Sequence, residues 1–168
     1  MRPADLLTLL RLALVPLFLA ILFSPLARAD YLAAGVFLAA ALTDGLDGYL
    51  ARRRGEATAR GEFLDPLVDK ALVLSATAAL VALGRWPVWA GAILIGRELA
   101  VTGLRLAALA RGRRIPVRLW GKLKTLAQVT AVLAGLVPVA PSLRDGLLVL
   151  AVILTLGSGI DYLRRGAR

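Results

Sequence analysis

Four aspartates stand where an apolar chain should not have them: Asp44, Asp47, Asp65 and Asp69 each fall toward one end of a long hydrophobic run. An ionised carboxylate facing lipid is expensive, so these groups must face inward and be compensated. Asp44 and Asp47 are three residues apart and Asp65 and Asp69 four apart, so on helices each pair projects from one face. The connection between the two runs is short, which makes the helices antiparallel neighbours and brings the four carboxylates toward one spot. Hard oxygen donors in that number suit Mg²⁺ or Mn²⁺, with two ions bridged by shared carboxylates as in two-metal phosphoryl-transfer sites. The competing reading is a buried salt-bridge cluster with Arg52, Arg53, Arg60 or Lys70, which would suffice for a single aspartate and is strained by four on paired helix faces. Gly45, Gly48, Ala51 and Gly61 let backbones approach one another or a ligand.

The chain contains no Cys and no His, which removes disulfides, thiolate nucleophiles, the usual zinc sites and every mechanism built on imidazole. A catalyst here works with carboxylates, Lys, Arg, hydroxyls or hard metal ions.

The elements that must position these groups follow from hydropathy. Of the 168 residues 59% are hydrophobic and 19% charged, with a mean hydropathy of +0.76, too apolar for a water-soluble domain of this length. A hydrocarbon layer of about 30 Å takes about 20 apolar residues per helix, leaving room for roughly six spans and no folded extramembrane domain. Apolar runs fall at Leu6–Phe23, Tyr31–Leu50, Phe63–Leu83, Val88–Ala110, Leu123–Val139 and Leu147–Leu163. The breaks between them combine polarity with helix-breaking residues: Ser24-Pro25, the surroundings of Gly55, Gly84 to Pro87, Gly112 to Pro116, and Pro138 to Pro141. The first run resembles a secretory signal but contains Arg11 and lacks a convincing cleavage site, so it is expected to stay. The expectation is an all-α polytopic membrane protein with six transmembrane helices, forming a single domain over residues 1–168.

Charge orients it. Lys and Arg number 21 against 11 Asp and Glu, a formal charge of +10. In a lipid-soluble chain this points to anionic headgroups and phosphorylated substrates, with no nucleic acid. With six spans, one side carries Arg2, Arg52 to Arg54, Arg60, Arg111, Arg113, Arg114, Arg118, Lys122, Lys124, Arg164, Arg165 and Arg168, and the other only Arg28, Arg85 and Arg144. The positive-inside rule places both termini and the two basic connections in the cytoplasm, and Trp86 and Trp89 fall where an aromatic belt would lie on the far side.

From Asp44 onward, DGLDGYLARRRGEATARGEFLDPLVD fits D-x2-D-G-x2-A-R-x8-G-x3-D-x3-D at Asp44, Asp47, Gly48, Ala51, Arg52, Gly61, Asp65 and Asp69. This resembles the signature of the CDP-alcohol phosphatidyltransferase family, and eight fixed residues over 26 positions make it a specific match. The resemblance implies an integral membrane enzyme that transfers a phosphatidyl group from CDP-diacylglycerol to a small alcohol and releases CMP. It implies Asp44, Asp47, Asp65 and Asp69 as ligands of Mg²⁺ or Mn²⁺, two ions, with Asp69 also the general base. It further implies Thr8, Gly48, Arg52, Thr58 and Gly61 in binding the CDP-lipid, and a homodimer in the lipid bilayer. The location implied is the cell's inner (plasma) membrane, with the active site at its cytoplasmic face.

The acceptor is read from the later spans. Arg97, Glu98 and Arg105 lie within the fourth run, and Lys122 and Lys124 open the fifth. Arg97 and Arg105, eight residues apart, lie near the same helix face, and Glu98 neutralises only one of them. A cationic pocket results, suited to an acceptor that already carries a phosphate; for Lys122 and Lys124 cytoplasmic anchoring is an equal alternative. The segments LLTLLRLALVPLFLA, GRELAVTGLRLAA and IPVRLWGKLKT resemble the branch of the family whose acceptor is sn-glycerol 3-phosphate, with Arg97, Arg105, Lys122 and Lys124 on its phosphate. Ala4-Asp5 stand where that branch usually has Pro-Asn. The alternatives are another acceptor such as inositol phosphate, and a small cation channel or transporter, against which the clustering of the carboxylates at one edge and the presence of Arg97 and Arg105 argue.

Overall fold

A computed structural model describes the backbone of residues 3–54, 59–112 and 119–166, and the side chains of 12–43, 70–112 and 120–162. The described residues form six α-helices and no strand: α1 (Pro3–Leu22), α2 (Ala29–Arg54), α3 (Ala59–Ala82), α4 (Val88–Ala110), α5 (Leu119–Leu136) and α6 (Pro141–Gly166). Each apolar run of the sequence is a helix, and most helices extend beyond their run, because polarity alone does not end a helix. The α2 helix continues through Arg52, Arg53 and Arg54, and α5 begins at Leu119, so Lys122 and Lys124 lie inside its first turns. Pro141, expected as part of a break, is the first residue of α6, where its fixed φ and missing N–H fit the helix start. Pro16 lies within α1.

Among the described residues, Pro141–Tyr162 is long and apolar enough to cross a membrane by length and composition. Leu12–Leu22, Ala29–Thr43 and Lys70–Ala82 are shorter apolar stretches. In α4 the apolar sequence is interrupted by Arg97, Glu98 and Arg105.

The chain forms two compact units, residues 1–76 and 77–168. In the first, α1 packs on α2. Phe18 and Phe37, both fully buried, meet with ring centroids 6.0 Å apart in a tilted arrangement, and the small residues Ala33 and Ala40 are buried with them. In the second unit α6 packs against both α4 and α5, with Leu94, Val132, Leu136, Leu148 and Ala151 buried.

The turn after α3 shows how its residues set the chain path. Gly84 has φ +67°, the left-handed conformation that ends a helix and that side chains disfavour. The N–H groups of Arg85 and Trp86 both donate to the carbonyl of Leu80, at 2.9 and 3.2 Å. This folds Trp86 inward, where it is 2% exposed, while Trp89 is 54% exposed. Of the two tryptophans expected in an aromatic belt, only Trp89 is therefore on the surface. Trp86 fits because Gly135 has no side chain: a Cβ there would lie 2.9 Å from Trp86 Nε1 and 2.9 Å from Leu80 Cδ1. Arg85 reaches across and donates from Nη1 to the carbonyls of Leu136 at 3.1 Å and Gly135 at 3.4 Å. These carbonyls belong to the last turn of α5, which lacks intrahelical partners and carries the negative end of the helix dipole.

Gly135→Val should destabilise the detergent-solubilised protein by about 1–3 kcal/mol through overpacking. Gly146→Val is the control, because a Cβ at that position meets nothing within 4 Å. Thermal denaturation followed by circular dichroism should show a lower midpoint for the first variant relative to the second.

Candidate active site

Within the second unit Arg97 and Glu98 of α4, Lys124 of α5 and Ser158 of α6 form one connected network. Glu98 is 3% exposed and Lys124 5% exposed, and the Lys124 ammonium donates to Glu98 Oε1. Arg97 Nη1 donates to the same oxygen at 3.1 Å. Its Nη2 donates to Ser158 Oγ at 2.9 Å, and Ser158 in turn donates to the carbonyl of Thr155 at 3.0 Å. One carboxylate oxygen thus serves two cations.

Helix periodicity decides which of the expected cations take part. Lys122 and Lys124 are two residues apart, a rotation of about 200°, so Lys124 points into the unit and Lys122 is exposed. Arg105 stands seven residues after Glu98, and so continues the buried face of α4 that holds Glu98, Val101 and Thr102; near the end of the helix it is exposed. Tyr162 on α6 lies within the electrostatic reach of both Arg97 and Arg105. Since Arg97 bonds Ser158 and Tyr162 follows Ser158 by four residues, α4 and α6 run in the same direction along this seam. Close approach is possible because residue 159 is glycine: a Cβ there would lie 3.4 Å from Arg97 Cγ.

Of the four cations expected to hold an acceptor phosphate, Arg97 and Lys124 are brought together through Glu98, Arg105 is exposed and, like Arg97, acts electrostatically on Tyr162, and Lys122 is exposed. Ser158 and Tyr162 are additions that the sequence reading missed. Their signal was available: Thr155, Ser158 and Tyr162 recur at helical spacing on one face of an otherwise apolar segment.

The acidic residues belong to the other unit. Asp44, Asp47, Gly48 and Arg52 occur in α2, Gly61, Asp65 and Asp69 in α3, and Thr8 in α1, and the side chains of all of these lie outside the described residues, as does Thr58 altogether. The helical backbone keeps the three- and four-residue spacings of the aspartate pairs in register. As a donor set, four carboxylates in a chain without Cys or His fit a hard divalent cation and do not fit zinc.

Residues 1–157 match the family described as CDP-alcohol phosphatidyltransferase. The chain belongs to that family. A probable phosphatidylglycerophosphate synthase of Mycobacterium tuberculosis is 42% identical over 171 residues, covering 98% of this chain and 81% of the relative. The CDP-diacylglycerol–glycerol-3-phosphate 3-phosphatidyltransferase of Bacillus subtilis is 38% identical over 173 residues, covering 92% and 90%. The enzyme of the same name from Haemophilus influenzae is 37% identical over 169 residues, covering 94% and 89%. Membership in a transferase family sets aside the channel reading of the buried carboxylates.

Replacing Glu98 with Ala should destabilise the protein by about 3–5 kcal/mol, because two cations are left in the interior without their shared carboxylate. Glu98→Ala with Lys124→Ala should recover part of that loss in a double-mutant cycle measured by thermal denaturation, whereas Arg105→Ala, at an exposed position, should leave the melting midpoint unchanged.

Proposed function

We propose that the protein transfers the phosphatidyl group of CDP-diacylglycerol to sn-glycerol 3-phosphate, forming phosphatidylglycerophosphate and CMP. The observation that carries this reading is the similarity along nearly the whole chain, at 37–42% identity, to proteins that bear the name of this enzyme, together with the full eight-residue signature between Asp44 and Asp69. The half-buried Arg97 and the buried Lys124 favour an acceptor that already carries a phosphate over a neutral alcohol.

In this reaction the acceptor hydroxyl oxygen bonds to the phosphatidyl phosphorus, the phosphorus–oxygen bond to CMP breaks, and the hydroxyl proton goes to Asp69 as general base. Asp44, Asp47, Asp65 and Asp69 would hold two Mg²⁺ or Mn²⁺ ions, which supply charge stabilisation at the diphosphate when bound. Thr8, Gly48, Arg52, Thr58 and Gly61 bind the CDP-lipid. Arg97, Lys124 and Arg105 hold the acceptor phosphate, while Lys122, exposed and turned away from Lys124, adds to the positive field at the entrance to α5. The chain is a single domain that crosses the cell's inner membrane six times, with both termini and the active site at the cytoplasmic face. Support for that layout comes from the six apolar runs and from the placement of 14 of the 17 cations at or beyond the ends of those runs on one side of them.

Purified protein in detergent with Mg²⁺ should release CMP from CDP-diacylglycerol on addition of glycerol 3-phosphate, and should stop when the metal is chelated. Asp69→Asn should lower kcat by about a hundredfold or more. Full turnover by Asp44→Ala would remove the metal site, and release of CMP with a different alcohol but not with glycerol 3-phosphate would reassign the acceptor. Arg105→Ala should raise KM for glycerol 3-phosphate more than KM for the CDP-lipid.

The absence of cysteine allows the orientation to be read directly. Arg111→Cys should react with an impermeant maleimide only after the membrane is opened, and Arg144→Cys should react in intact cells whose outer envelope has been made permeable. The reverse pattern would invert the proposed topology.

A further inference from the structure

Helix α5 is held near both ends by one continuous stretch of chain. Toward its start the Lys124 ammonium donates to Glu98 of α4. At its close Arg85, in the turn that leads into α4, donates from Nη1 to the carbonyls of Leu136 at 3.1 Å and Gly135 at 3.4 Å. The two links are matched in length. Glu98 stands ten residues after Val88, the first residue of α4, a rise of about 15 Å, and Gly135 stands eleven residues after Lys124, about 17 Å. Both links therefore close at once on antiparallel helices. A slide of α5 by one residue, about 1.5 Å, would exceed what the hydrogen bonds at the Arg85 end tolerate.

The links differ in stiffness. A lysine carries its ammonium on a flexible four-carbon stem and can follow a moving partner, whereas a guanidinium is planar and directional. Arg85 is also seated by its own backbone, since its N–H donates to the carbonyl of Leu80 at 2.9 Å behind Gly84 in the left-handed conformation. The next residue, Trp86, packs against α5 where Gly135 leaves room for it.

Between the links the buried residues of α5 are Ala127, Gln128, Ala131, Val132 and Ala134. Three of the five are alanine. Small side chains allow a neighbouring helix to come close, but they raise shallow ridges that resist sliding weakly. The axial placement of α5 thus falls to its anchored end.

We propose that Arg85 is a positioning residue for Lys124: by holding the carbonyls that close α5 it fixes the register of the whole helix, and so keeps the Lys124 ammonium on Glu98 about three turns away. Its consequence for turnover rests on the reading above that Lys124 helps to hold the acceptor; the placement itself does not.

The lysines of the chain are Lys70, Lys122 and Lys124, and the last two form an internal comparison, Lys122 exposed and Lys124 buried. Full-length protein in detergent is treated with an amine-acylating ester well below its melting temperature, and initial rates at the two lysines are read by tandem mass spectrometry. Lys122 should react faster in the wild type. Arg85→Ala should speed acylation of Lys124 relative to Lys122 by about tenfold, the worth of a lost charge-assisted hydrogen bond. Arg144→Ala, which removes a cation whose side chain bonds Asp145, should leave the ratio within about twofold. Arg85→Gln keeps an amide donor and should fall between, and it carries the test if Arg85→Ala does not fold. Leu148→Ala, a core truncation on α6, should expose Lys124 less than Arg85→Ala does at a matched fall in melting temperature. An unchanged ratio in the Arg85 variants, or an equal rise in Arg144→Ala or Leu148→Ala, overturns the inference.

In turnover Arg85→Ala should raise KM for glycerol 3-phosphate about tenfold, with KM for CDP-diacylglycerol changed less than about twofold, and Arg85→Lys should restore it. Faster acylation of Lys124 without a rise in that KM supports the placement by Arg85 and removes Lys124 from the acceptor site. The acylation ratio is read without substrate, so it decides the inference even if the wild type does not use glycerol 3-phosphate.

Discussion

The sharing of Glu98 Oε1 between the Arg97 guanidinium and the Lys124 ammonium governs the organisation of the second unit. Withdrawing these charged groups from water is expensive, and a well-packed apolar cluster would hold helices together at least as well. What the charged arrangement adds is placement. Glu98 ties α4 to α5 through Lys124, and Arg97 extends the connection to α6 through Ser158. Two cations, the buried Lys124 and the half-buried Arg97, are thereby kept at fixed positions on one carboxylate oxygen.

The rest of the unit is arranged around that requirement. Helical hydroxyls generally turn back on their own backbone, as Thr43, Ser75, Thr125 and Thr130 do. Along the α4–α6 seam this economy is broken by Thr102, Thr155 and Tyr162. Packing elsewhere in the unit is close, to the point that Gly135 admits the Trp86 indole where any Cβ would collide with it. Unsatisfied donors beside Arg97 are thus not the mark of a loose interior. They occur on the helices that the ion network holds in register.

Much of this was legible in the residues, and the limits have physical causes. Apolar runs located all six helices, because burial in an apolar medium leaves a strong compositional trace. Their ends were less clear: α2 continues through three arginines, and Pro141 opens a helix that its residue type was expected to interrupt. Arg97, Glu98 and Arg105 were legible as charges within an apolar run, and the structure buries Glu98 while leaving Arg105 exposed. The pairing of Lys124 with Glu98, and the separation of Lys122 from it, depended on the phase of a helix whose start was placed four residues late. Ser158 and Tyr162 passed unnoticed because neither is charged. Trp86 was misplaced because residue type sends tryptophan to an interface, whereas a glycine 49 positions later in the chain gave it an interior seat. The signature from Asp44 to Asp69 was readable from spacing alone.

The commitment of Arg85 to the carbonyls closing α5 alters the electrostatic potential of that end of the second unit. Its charge is set against the partial negative charge of a helix terminus, and Arg144 nearby in sequence to α5 is set against Asp145 at 2.9 Å. Little uncompensated positive potential is left there. At the opposite ends of α4 and α5, Arg111 and Lys122 are exposed to solvent. Among the described residues the field of this unit is therefore asymmetric, with cations paired at one end of α4 and α5 and exposed at the other, and that polarity is built into the folded state rather than into the count of basic residues.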